Sequence, residues 1–173
     1  SLINYTEMLN WLKENVKQVA LDDVLYKQSI IEGDYPGSVK FVKTIVEADE
    51  SEIQTYTFNL SDINLNSLRF NISGNKMEVT LETLREQNVI QYMEDQQKEP
   101  FEDELTIVAE NVESARDIRT GLALAITAAK DVTQNALPAI NNQQQALAEL
   151  QKFTQSVSVS PKVFEQSIDA SCL

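Results

Sequence analysis

The sequence predicts an α+β domain in which seven antiparallel strands are bracketed by amphipathic helices. Three observations predict it. Apolar residues recur at steps of three and four near the N-terminus and again beyond residue 111. Between Val24 and Ala109 the period drops to two, the alternation of half-buried strands. The breaks between these runs are clusters of Gly, Pro, Asn, Asp and Ser, residues suited to turns.

In the first helix, Leu9, Leu12, Val16 and Val19 form one stripe over residues 6–19, with Thr6 as N-cap and Trp11 at the border of the stripe. Strands follow at about 24–32, 38–48, 52–60, 66–73, 76–84, 88–94 and 102–109. The pair joined by Ser73-Gly74-Asn75 is the clearest hairpin. Asn111 then caps a second helix, whose stripe is Val112, Ala115, Ile118, Leu122, Ala125, Ile126 and Ala129. Gly121 within it costs roughly 1 kcal/mol against alanine, which predicts a close approach by a neighbour. A third helix runs from near Pro138 to about Gln155, with Ala146, Leu147, Leu150 and Phe153 on its apolar side. A short strand at about 162–169 ends the series.

Composition excludes several functions. The 173 residues include 27 acidic and 14 basic side chains, a formal charge of −13. That balance opposes nucleic acid and anionic membrane surfaces, both of which need a positive face. No run of about 18 apolar residues spans a membrane. The chain has no histidine, so histidine-dependent nucleophilic catalysis and imidazole metal sites are excluded, and no cofactor is expected. The single cysteine, Cys172, has no histidine to activate it and reads as inert. The chain opens at Ser1, which fits an exported protein whose signal has been removed as well as a cytoplasmic one.

The chain also resembles itself. Shifted by 138 residues, Leu9 falls on Leu147, Leu12 on Leu150, Val19 on Val157 and Gln28-Ser29-Ile30 on Gln166-Ser167-Ile168. Leu21, Leu25 and Tyr26 meet Val159, Val163 and Phe164. Residues 1–131 are therefore expected to form one complete unit, and residues 138–173 to open a second that stops after its first strand. A lone helix and strand cannot bury their apolar sides unaided. The tail should pack on the first unit or on a neighbouring chain, by helix packing or by adding a strand to a sheet edge, a route to a homo-oligomer.

Seven antiparallel strands followed at once by a helix resemble the pleckstrin-homology-like superfold, over about residues 22–130. That likeness implies a partly open barrel stoppered at one end by its C-terminal helix. The stretches Tyr56-Thr57-Phe58-Asn59-Leu60-Ser61-Asp62-Ile63 and Glu113-Ser114-Ala115-Arg116 are also similar to segments of bacterial domains with no assigned activity. Lipid-binding members of the superfold carry basic residues on their first two strands, where this chain has Lys27, Lys40 and Lys43. The connecting loop itself holds Glu32 and Asp34, which oppose a phosphate there, and the closing arginine of that motif is absent.

The acidic clusters Asp22/Asp23, Glu94/Asp95 and Glu102/Asp103/Glu104 fall in loops or at strand ends, where carboxylates are solvated. Acid–base chemistry instead needs two such groups in unlike environments. Neither Glu99–Glu104 nor Asp49/Glu50 has the alternating spacing of a calcium loop. Tyr35, at a loop tip, is the aromatic best placed for a partner or for packing at the barrel mouth. The expectation is a non-enzymatic protein-interaction module, one unit of a tandem array, with Lys27, Lys40, Lys43 and Tyr35 as anion or partner contacts. The alternatives are a small-molecule or lipid-binding domain using the barrel groove and, third, a carboxylate-dependent hydrolase.

Overall fold

Asn4, not Thr6, starts the first helix: its side chain accepts from the Thr6 backbone N–H at 3.0 Å. Helix α1 spans Tyr5–Asn15 and stops four residues short of the expected end, because Val16 is already extended. Val19 therefore belongs to a short strand, β1 (Val19–Leu21), that the helical spacing had absorbed. Eight further strands follow: β2 (Val24–Glu32), β3 (Ser38–Glu47), β4 (Glu50–Asn59), β5 (Arg69–Ser73), β6 (Lys76–Glu82), β7 (Gln91–Glu94), β8 (Gln97–Lys98) and β9 (Glu104–Ala109). Helix α2 is Val112–Ala136, capped as expected by Asn111, whose Oδ1 accepts from the Ser114 N–H at 2.9 Å.

The computed structural model describes residues 4–136, 157–159 and 162–164, and divides into two compact units, Ser1–Gln134 and Asn135–Leu173. The first is an α+β fold with nine antiparallel strands in two sheets. One has the order β1-β2-β3-β4-β7-β8, the other β5-β6-β9. No continuous ladder closes them into a barrel. All seven expected strands are present, and β1 and β8 are additional. In the second unit, β10 (Val157–Val159) and β11 (Lys162–Phe164) pair as an antiparallel hairpin. The third helix expected over 138–155, and residues 165–169 of the last strand, lie outside the described residues. Among the described residues no helix is long and apolar enough to cross a membrane.

The core lies between the two sheets. Ile30, Val39, Phe41, Tyr56 and Phe58 of the larger sheet meet Val79, Leu81, Leu105 and Ile107 of the smaller. Helix α1 inserts Leu9 and Leu12, and α2 inserts Ile118, Leu122 and Ile126. Loop hydrogen bonds extend the smaller sheet beyond its ladders. The Asn64 N–H donates to Glu82 O at 2.9 Å, the Thr83 N–H donates to Asp103 O at 2.8 Å, and Ser67 Oγ donates to Asn64 O at 2.6 Å.

Gly121 does permit a close approach. A Cβ built there overlaps the six-membered ring of Trp11, which lies flush on α2. Gly121→Ala gains helix propensity yet must displace that ring, so a net loss of about 1–3 kcal/mol in denaturant unfolding is expected. Combining it with Trp11→Leu should recover part of the loss, because the two sites are in contact.

Candidate functional site

Pairing fixes which side of the larger sheet each strand residue faces. Ile31, Lys40, Thr57 and Gln91 form one cross-strand row, and Ser29, Val42, Thr55 and Met93 the next. Both rows lie on the side away from the core. Lys27, opposite Thr44, shares this outer face, as does Lys98, opposite Met93. The carboxylates of the same strands, Glu32, Glu47, Glu50, Glu52 and Glu94, all fall on the other parity, at or near strand ends. The strand residues of the outer face thus carry three exposed lysines and no carboxylate, in a chain whose formal charge is −13. None of the three is in an ion pair among the described residues.

Between the lysines the face is apolar or threonine-rich, with Leu25, Val42, Thr44, Val46 and Ile53 all half-buried. Lys27 and Lys40 stand about 13 Å apart along the strand direction, four residues in register. A groove of about 590 Å³ opens at the Lys40 end, lined by Ile31, Tyr35, Lys40, Thr57, Val89 and Met93. Tyr35, 76% exposed, forms its wall on the Gly33–Gly37 turn, beside which Glu32 and Asp34 add two carboxylates to the lining. The turn is held by Gly37 at φ +79°, by Asn59 Nδ2 donating to Pro36 O at 2.8 Å, and by the Gly33 N–H donating to Ser38 O at 2.8 Å.

Three of the four residues singled out from the sequence, Lys27, Lys40 and Tyr35, therefore share one face. Lys43 does not. Three residues from Lys40 along a strand, it points the opposite way, and only 6% of it is exposed. Its Nζ donates to Thr106 O at 3.3 Å. Burial pulls its pKa down to about 8, partly opposed by the Glu78 carboxylate. Beside it Gln28 is equally buried: Nε2 donates to Val108 O at 2.8 Å and to Lys17 O at 3.0 Å, and Oε1 accepts from the Val108 N–H at 2.8 Å. Among the described strands β9 is an edge strand, and its outward backbone groups at Thr106 and Val108 have no strand partner there. Side chains of the larger sheet thus cap the open edge of the smaller one.

The acidic clusters hold structure together. Asp22 accepts from Asn75 Nδ2, Asp95 Oδ1 accepts from the Ile53 N–H at 2.9 Å, and Glu94 accepts from Tyr92 Oη at 2.9 Å. Glu104 accepts from Arg69, which also bonds Glu82. The Tyr56 and Tyr92 rings stack at 4.9 Å. Burial and neighbouring carboxylates push the Tyr56 phenol up to about 12 and that of Tyr92 higher still. Lys98 was missed in the sequence because Asp95 to Pro100 carries turn residues, and only its register opposite Met93 reveals its side. No protein-family model, no curated protein and no solved structure matches this chain.

Proposed function

We propose that the chain is a non-enzymatic protein-interaction module that docks an acidic partner on the outer face of its six-stranded sheet. The observation that carries this reading is the partition of charge in that sheet, with its exposed lysines outward and its carboxylates on the opposite parity. Paired lysines on an apolar and threonine floor suit a partner that offers carboxylates beside an apolar stripe, with charge setting orientation and encounter rate. Part of the same reading is a pleckstrin-homology-like arrangement, supported by two antiparallel sheets followed directly by α2. Its departure from simple element order is that the β7-β8 hairpin joins β4 while β9 returns to β6.

The test uses two synthetic amphipathic helices with one leucine stripe, bearing either glutamates or lysines on the polar face. Fluorescence anisotropy should show salt-sensitive binding of the glutamate peptide. Its affinity should fall at least roughly tenfold in Lys27→Glu/Lys40→Glu/Lys98→Glu, with thermal stability unchanged. Equal binding of both peptides, or an unaffected triple variant, overturns the reading. The groove beside Tyr35 favours a second reading, a small-ligand site. That reading requires Tyr35→Ala to abolish binding while the distant Lys27→Glu leaves it intact.

A further inference from the structure

The two hairpins of the chain are superimposable in register. In β1-β2 the opposed pairs are Val19↔Tyr26, Ala20↔Leu25 and Leu21↔Val24. In β10-β11 they are Val157↔Phe164, Ser158↔Val163 and Val159↔Lys162, each residue 138 positions further on. The second hairpin thus pairs where the sequence offset places it, although the residues in the hairpins are identical only at Val19 and Val157.

Identity elsewhere follows burial. Between residues 4 and 30 the buried side chains are Leu9, Leu12, Val16, Val19, Gln28 and Ile30. All but Val16 recur unchanged 138 residues later, as Leu147, Leu150, Val157, Gln166 and Ile168. The remaining positions keep identity at Ser29, as Ser167, and at Asn4, as Asn142. Asn4 is the residue that caps α1. Exposed positions diverge freely, Asn10 becoming Ala148 and Lys27 becoming Glu165, and the half-buried Trp11 becomes Glu149. A generic amphipathic helix would keep apolar character at its stripe. It would not also keep a capping asparagine and the one glutamine whose amide clasps β9.

We propose that residues 139–173 are a docking element equivalent to residues 1–35, whose partner is another body of this same fold, the stretch from β3 to α2. In that union Leu147, Leu150 and Ile168 enter the body's core, and Gln166 bonds the backbone of its β9, as Gln28 does in the first unit. The inference is independent of docking on the outer face, since it rests on the two hairpin registers and on which residues recur.

The experiment appends residues 36–136 after Leu173 of the full chain. Two-dimensional amide NMR should then show a second set of dispersed resonances, and Gln166→Ala should lower the denaturant midpoint of the second body alone, as Gln28→Ala lowers that of the first. In a Cys172→Ser background, Ser167→Cys should form a disulfide with Val42→Cys of the appended body, because Ser29 and Val42 are opposed in the first. A chain in which residues 1–35 are duplicated in place of 139–173 sets the signal of a complete second body. Appended residues that stay unfolded, or a second body indifferent to Gln166→Ala, overturn the proposal.

Discussion

Gln28→Ala should destabilise the domain by about 2–4 kcal/mol, the largest effect expected of any polar substitution in it. The side chain is 8% exposed and makes three hydrogen bonds, two of them to the amide and carbonyl of Val108. Truncation removes one residue's bonds but strands the backbone groups of an edge strand, and a stranded buried group costs more than the net value of the bond it lost. Gln28→Glu separates geometry from mere filling. At neutral pH the carboxylate accepts from the Val108 N–H but has no proton for Val108 O or Lys17 O, and it carries a charge into the interior. On acidification the protonated carboxyl can donate again. Denaturant titrations should therefore show the glutamate variant recovering stability relative to the parent as the pH falls. An alanine variant within 1 kcal/mol of the parent, or a glutamate variant without that recovery, would show that β9 needs no such cap.

Lys43 gives the second large effect, visible in the pH dependence of unfolding. Its folded-state pKa of about 8 lies below its ordinary 10.5, with burial as the cause. Between those values the unfolded chain binds a proton that the folded one has released, so stability must rise with pH across that window. The rise amounts to about 3 kcal/mol if fully realised. The buried tyrosines act with the opposite sign. Burial, with Glu32 nearby, raises Tyr5 to about 12, and Tyr56 is raised similarly. Above pH 10 the unfolded chain loses phenolic protons that the folded one keeps, and stability falls. The profile should climb from pH 8, peak near pH 10 and decline. Lys43→Met should flatten the climb and leave the alkaline decline in place. A parent profile that is flat from 8 to 10 would sink this account of Lys43.

How much of this was legible follows from what sequence periodicity encodes. Strand β2 runs over Val24–Glu32, and β3 and β4 lie within two residues of their expected bounds, because alternation and turn residues act locally. Strand β1 was hidden because Val19 sits at a step of three from Val16, which satisfies a helix stripe and a strand's inward face alike. The sides of the lysines were legible in principle. Lys40 and Lys43 differ by an odd number on one strand, so a period of two already sends them to opposite faces. The role of Gln28 was not legible from pattern, since its partners are backbone groups 80 residues away, and backbone leaves no trace in side-chain sequence. The repeated Gln-Ser-Ile tripeptide was the one available signal. It marked a position that matters without saying what the amide touches.

The reversals at Asp22, Ala48, Gly74 and Asp95 each take two residues, so β1-β2, β3-β4, β5-β6 and β7-β8 are hairpins of short sequence separation. Such neighbours meet early and cheaply in a collapsing chain, whereas Gln28 reaches Val108 only after a loop of 80 residues has been closed. Ribbons are therefore expected to zip before the seam joins. A seam formed late would act as the latch on the folded state, so Gln28→Ala should speed unfolding more than it slows refolding in stopped-flow measurements.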